Sequence, residues 1–339
     1  MSADPILEVS NLTVHFQNRR SNPFAPHTTV HAVDDVSFSL PRGSTLGIVG
    51  ESGSGKTTAA LAVMRLGPIT AGSVKLAGTE IAGLKGEELR LVRRKMQVIF
   101  QDPYSSLNPR MRAGQIVREP MDLLDVYDRS ERADRVAELF AAVGLRPEQE
   151  SLFPHQFSGG QRQRIGIARA LATDPEIIVC DEPVSALDVA IQAQTLNLLR
   201  RLQKTFGYSY LFISHDLGVV QYVCDEIAVM YLGQIVEHAV QVDLFRRPLH
   251  PYTWALMSAV PSANLAEARQ RRVLLTGDPP NPIDPPDACR FAERCPFAEE
   301  ICRKTAPPLR AVANGRKVAC HLVSDDGEAP QHREGLEGP

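Results

Sequence analysis

At 339 residues the chain is longer than one ordinary domain, so one catalytic core with an appended region fits, whereas two complete nucleotide motors do not. Its 43% apolar and 23% charged content is that of a globular protein, and a net charge of -3 with a pI near 6.3 argues against a basic nucleic-acid groove. No apolar run is long enough to cross a bilayer, and Met1–Pro5 lacks the basic and apolar parts of a secretory signal, so a peripheral membrane role and a reducing, cytoplasmic compartment are expected.

The chain opens with strand-like segments, Ile6–Val9 and Leu12–Phe16. After a polar loop from Gln17 to Thr29 comes Ala32–Leu40, and together these predict an antiparallel β layer. Thr45–Val49 is a short apolar strand that runs into the glycine-rich Gly50–Gly55 and then a helix over Thr57–Leu66. From about residue 102 to 172 the pattern is helical. In Arg132–Gly144 the apolar Val136, Leu139, Phe140 and Val143 fall at i, i+3, i+4 and i+7 before Gly144 ends the helix. The core resumes with the strand Ile177–Cys180, a helix near Ile191–Gln203, and the strands Ser209–Ile213 and Glu226–Tyr231, an alternation that implies a largely parallel sheet. Beyond Val240 eleven prolines between Phe245 and Arg310 predict turns and extended chain in place of regular elements. The expected division is a core over 5–240, with its helical insertion at about 102–172, an appended region over 241–324, and a polar, disordered tail over 325–339.

Gly50-Glu51-Ser52-Gly53-Ser54-Gly55-Lys56-Thr57 fits the phosphate-binding loop pattern, in which glycines let backbone N–H groups wrap phosphates. Lys56 is expected to reach the β- and γ-phosphates of ATP, Thr57 to offer its hydroxyl to Mg²⁺, and Thr58 to touch the α-phosphate. Asp181 and Glu182 end an apolar strand, at the carboxyl edge where ligands of parallel sheets collect; Asp181 is expected to serve Mg²⁺ and Glu182 to polarise the attacking water. Ser158-Gly159-Gly160-Gln161 has the form of a capping box opening a helix, and its glycines leave first-turn N–H groups free for a second phosphate contact.

These motifs, with Asp181-Glu182-Pro183 and Ser185-Ala186-Leu187-Asp188, resemble the ATP-binding-cassette (ABC) ATPases. The resemblance implies an α/β P-loop fold with an antiparallel β subdomain and an inserted helical subdomain. It also implies a head-to-tail dimer, in which Ser158–Gln161 of one subunit closes over the γ-phosphate held by the other. Under the same resemblance Gln101 is the glutamine that senses Mg²⁺ and water, His215 is the switch histidine at the γ-phosphate, Phe16 stacks on adenine, and Asp188 joins the nucleotide-binding set. Longer strings, Phe100–Pro109, Glu182–Val189 and His250-Pro251-Tyr252-Thr253, are similar to the oligopeptide and dipeptide importer ATPases over about residues 6–323, and Tyr104-Ser105-Ser106 and Pro183-Val184-Ser185 to their F-type subunit.

What that family implies is a second ATPase subunit forming a heterodimer, two integral membrane permease subunits, an extracytoplasmic binding protein, and a place on the cytoplasmic face of the membrane. Cys289, Cys295, Cys302 and Cys320, spaced C-x5-C-x6-C-x17-C, could complete one tetrahedral zinc site or one [4Fe–4S] cluster. Close C-x2-C pairs are absent, and the importer resemblance implies the cluster, with Zn²⁺ as the alternative. Cys180 and Cys224 read as ordinary buried thiols. The rival to peptide import is an ABC ATPase of a non-transport complex, acting on nucleic acid, ribosomes or an enzyme assembly; the tandem motors, long coiled-coil insertions and basic patches of such proteins are not visible here.

Overall fold

The computed structural model describes residues 4–17, 28–258 and 281–330. Strands β1 (Pro5–Gln17) and β2 (Thr29–Pro41) pair antiparallel from Pro5 opposite Pro41 to Gln17 opposite Thr29. The two short strands expected at the N-terminus are one bulged strand: the register shifts between Val9 and Leu12, where Asn11 takes a left-handed φ of 52°, so Ile6, Leu7, Val9, Leu12 and Val14 are all buried. Most of the expected polar loop, residues 18–27, lies outside the described residues. Next come β3 (Thr45–Val49), buried throughout, α1 (Lys56–Val63), β4 (Ala71–Leu76), β5 (Thr79–Glu80), α2 (Gly86–Lys95) and β6 (Met96–Ile99). β4 adds to the free edge of β1, giving a four-stranded sheet of order β2-β1-β4-β5.

The helical expectation over 102–172 resolves into α3 (Ala113–Leu124), α4 (Arg132–Ala142), two short 3₁₀ turns and α5 (Gly159–Leu171). Residues 102–112 form turns. Ile116, Val117, Met121, Val136, Leu139, Phe140, Phe157 and Ile165 bury one shared apolar core among these helices.

The main sheet is completed by β7 (Ile177–Asp181), α6 (Val189–Phe206), β8 (Ser209–Ser214), α7 (Leu217–Val223), β9 (Glu226–Tyr231) and β10 (Gln234–Val240). β3 lies parallel between β8 and β9, and β6, β7 and β8 continue the parallel run. β10 turns back on β9 through Leu232-Gly233, both at positive φ, the backbone that a two-residue hairpin requires.

Regular structure does not stop at Val240. Helices α8 (Gln241–Arg246), α9 (Pro251–Ser258) and α10 (Glu300–Lys304) follow, with the two-residue strands β11 (Arg310–Ala311) and β12 (Lys317–Val318). β12 pairs with β10, so the C-terminal region extends the main sheet, whose order is β11-β12-β10-β9-β3-β8-β7-β6. The join is polar as well as apolar. Fully buried Glu237 on β10 accepts hydrogen bonds from Leu249 N–H and His250 N–H at 2.9 Å and pairs with Arg316 at 2.7 Å. At the start of the expected tail, Asp325 pairs with Arg310 at 2.6 Å and Ser324 N–H donates to Glu328; residues 331–339 lie outside the described set, as do 259–280 of the proline-rich stretch.

Candidate active site

The loop joining β3 to α1 wraps around the ammonium of Lys56, which is 5% exposed. Its Nζ donates to the carbonyls of Gly50 and Glu51, each at 2.8 Å, and approaches Ser54 Oγ at 3.4 Å. Only glycine fits at two turns of this loop. A Cβ on Gly50 would stand 2.1 Å from the carbonyl oxygen of Met230, and one on Gly55, at φ 101°, 2.1 Å from that of Ala32. Ser52 and Gly53 are exposed between these anchors, beside buried Ser54, and Thr57 and Thr58 open the first turn of α1. Burial holds the Lys56 ammonium below the usual lysine range, against the raising pull of Glu182, Asp181 and Glu51. A polyanion placed in this loop would meet a desolvated cation and a helix N-terminus together.

Four side chains converge opposite the loop. Thr57 Oγ1 donates to Asp181 Oδ1 at 3.0 Å, which places the two expected Mg²⁺ partners side by side. Burial and the charge of Glu182 raise the Asp181 carboxyl, while the Thr57 hydrogen bond and Lys56 pull it down. Gln101, just after β6, donates from Nε2 to Glu182 Oε2 at 2.9 Å, and His215, just after β8, meets Glu182 Oε1 through Nδ1 at 2.9 Å. Glu182 leaves β7 at a left-handed φ of 46°, and its N–H donates to Ile213 O at 3.0 Å. Three parallel strands thus end with Gln101, Glu182 and His215 in contact. That set can hold and orient a water while one carboxylate takes its proton.

The remaining expected residues occupy other places. Ser158 caps α5: its Oγ accepts from Gln161 N–H at 3.3 Å and its own N–H donates to Gln161 Oε1 at 3.0 Å. These bonds stay within the cap, with Gly159 and Gly160 forming the first turn. Asp188 caps α6 by accepting from Ile191 N–H at 2.9 Å. Phe16, near the end of β1, is 42% exposed, a ring face open to solvent. Cys180 and Cys224 are buried with thiols pushed far up, in keeping with inert core positions.

The C-terminal cysteines gather in one place. Cys289 N–H donates to Cys302 O at 2.9 Å, and the ionised forms of Cys320, Cys289 and Cys302 all bear on Cys295. Burial raises the Cys289 thiol to about 11 and the Cys295 thiol to about 12. No three of the four sulfur atoms lie within 4.8 Å of one another.

Some residues around the site were not legible as such. Gln163, buried on α5, donates to Pro183 O at 2.7 Å and ties the Ser158 helix to the Asp181–Glu182 segment. Tyr252, inside the His250–Thr253 string, accepts the Glu51 N–H at 2.9 Å, and Arg294 binds the Glu51 carboxylate. The string marked Tyr252 as unusual; nothing local marked Arg294, 243 residues from its partner.

Comparison with known proteins places these features. A family model described as "ABC transporter" matches residues 33–185, and one described as "Oligopeptide/dipeptide transporter, C-terminal region" matches residues 236–302. The oligopeptide transport ATP-binding protein AppF of Bacillus subtilis is 48% identical over 323 residues, covering 95% of this chain and 98% of its own. The probable peptide ABC transporter ATP-binding protein y4tS of Sinorhizobium fredii is 50% identical over 320 residues, covering 94% and 90% respectively. Among solved structures, a dimeric ATP-binding cassette in a post-hydrolysis state bound to ADP and Pi aligns with a TM-score of 0.61 at 28% identity, over 69% of this chain and 98% of its own.

Proposed function

We propose, on the premise that this chain belongs to the ATP-binding subunits of the oligopeptide/dipeptide ABC transporters, that it powers peptide uptake through separate permease subunits by hydrolysing ATP at a two-chain interface. The observation that carries the reading is the contact of Gln101, Glu182 and His215 beside the Thr57–Asp181 pair. ATP with Mg²⁺ supplies the phosphoryl group that is cleaved. Backbone N–H groups of Gly50–Gly55 and the Lys56 ammonium hold the phosphates, with Thr58 at the α-phosphate and Phe16 under the adenine. Thr57 and Asp181 would hold the Mg²⁺, which would neutralise charge on the phosphates. Glu182 accepts the proton of the attacking water, which Gln101 and His215 orient. Ser158–Gln161 presents its bare helix end, with Asp188 nearby in sequence to Glu182, to the nucleotide of the companion subunit. Neutralisation and positioning of the triphosphate, rather than covalent chemistry, lower the barrier.

The division of labour follows the elements. Residues 5–240 form the motor, and residues 241–324 the importer-type appendage. Exposed Phe100 and Tyr104 flank the sensing glutamine and form the face that meets the permeases, with the chain peripheral on the cytoplasmic side. No helix among the described residues is long and apolar enough to cross a membrane, which fits a separate channel. The companion ATPase subunit is a different chain and an extracytoplasmic binding protein delivers the peptide, as the resemblance of Tyr104-Ser105-Ser106 and Pro183-Val184-Ser185 to the F-type subunit implies.

The cysteine set is the finer part of the reading. The importer resemblance favours a [4Fe–4S] cluster held by Cys289, Cys295, Cys302 and Cys320, which would staple a region with a small core of its own; Zn²⁺ is the alternative.

The reading is tested by turnover. Glu182→Gln in the assembled transporter is expected to lower ATP hydrolysis by at least about a hundredfold while leaving ATP binding within about twofold. Turnover close to the wild-type rate would remove Glu182 from the role of base.

A further inference from the structure

The C-terminal region reaches the phosphate loop at Glu51 and engages both its amide and its carboxylate. The Glu51 N–H donates to Tyr252 Oη at 2.9 Å, and its carboxylate receives both arms of Arg294, Nη1 to Oε2 at 2.9 Å and Nη2 to Oε1 at 3.1 Å. Its carbonyl is one of the two that accept Lys56 Nζ at 2.8 Å, the other being that of Gly50. We propose that Arg294 is a positioning residue for ATP binding: it neutralises and aims Glu51, and through the Glu51 backbone sets the phosphate loop and Lys56.

A carboxylate inside a loop that must receive a triphosphate repels its own ligand and competes for the Lys56 ammonium, whose proton affinity it already raises. Arg294 cancels that charge with a two-pronged pair, the geometry that fixes direction as well as energy. Its side chain is 7% exposed, its Nη1 lies 3.4 Å from Tyr231 Oη, and its guanidinium sits 5.9 Å from the centre of the Tyr231 ring. Tyr231, Tyr252 and Phe291 pack together at 4.5 to 5.5 Å between ring centres beside the pair, which leaves the Glu51 side chain 26% exposed.

The Arg294 backbone is equally constrained. It lies in the short segment between Cys289 and Cys295, and on the same segment Arg290 binds Asp34 of β2 and the Leu232 carbonyl of the β9–β10 turn. Two arginines four residues apart therefore clamp this segment to the motor, one on β2 and the hairpin, the other on the phosphate loop. Anything that fixes the Cys289–Cys295 segment fixes the loop, which gives the appendage a task in nucleotide binding.

This inference deepens the nucleotide-site reading and rests on it. The test is titration of the purified full chain with a fluorescent ATP analogue, together with KM and kcat in the assembled transporter. Arg294→Met is expected to weaken binding and raise KM for ATP by about tenfold or more, with kcat at saturating ATP within about twofold. Adding Glu51→Gln to Arg294→Met is expected to restore most of the affinity, because the offending charge is gone; a merely structural arginine would not be rescued that way. Arg294→Lys, which keeps the charge and loses the fork, is expected to fall between, and it carries the test should Arg294→Met fail to fold. Wild-type affinity in Arg294→Met or Arg294→Lys, or no rescue by Glu51→Gln, would overturn the inference. Absence of ATP binding by the wild-type chain, with Lys56→Ala no different, would instead overturn the reading of the site itself.

Discussion

Glu182 joins three constraints in one residue. Its backbone leaves β7 in the left-handed region, at a cost of about 1 kcal/mol for a side chain with a Cβ, and that departure aims its carboxylate between Gln101 and His215. His250 is buried, its Nδ1 accepts the Tyr252 N–H at 3.1 Å, and burial pushes its imidazole down to about 3. Because the folded pKa lies below the unfolded value near 6.5, the folded state is at full strength above pH 6.5 and loses stability as pH falls toward 3. At pH 5 the loss is about 2 kcal/mol. The Glu237 carboxyl, raised by burial, works in the other direction, so the readout is a difference. Between pH 7.5 and pH 5, denaturant unfolding of the wild-type chain is expected to lose about 2 kcal/mol more than that of His250→Asn. Equal losses would mean that His250 takes up its proton without cost.

At the scale of elements, the candidate motifs stand out in the sequence because each is local: a strand, its turn and the next helix carry their own glycines and acids within a few residues. What was missed has a physical reason in each case. Helix α2 buries none of its residues completely, so it has no strong apolar stripe to announce it, and strand β10 carries the polar Glu237 and His238 into the core, which breaks the apolar run that marks its neighbours. With β10 unrecognised, the proline-rich region beyond residue 240 looked detached, although β12 pairs with that very strand. The contact of Arg294 with Glu51 joins residues too far apart in the chain for any spacing rule. The cysteines, by contrast, stand out in the sequence by crowding alone, and they set the element-scale prediction. Anaerobically purified protein is expected to hold about four iron and four acid-labile sulfide per chain, and Cys295→Ser to lose both. Stoichiometric zinc without iron would reverse the choice of metal.

The whole molecule is half of a machine. Within one chain the Ser158–Gln161 cap spends its hydrogen bonds on its own helix, while the phosphate loop faces outward with Ser52 and Gly53 exposed. Two phosphate-seeking surfaces for one nucleotide make sense when a second motor supplies the missing side, and Gln163, bridging α5 to Pro183, links that surface to the segment that carries the proposed catalytic carboxylates. Closure of the pair is then the event that turns ATP binding into motion of the permeases. The direct measurement is the mass in solution, by light scattering, of the Glu182→Gln chain mixed with its companion ATPase subunit, with and without ATP. The expected result is a two-chain mass that appears only with ATP and is lost when Ser158 is replaced by Arg; a single-chain mass with ATP bound and the companion present would contradict the account.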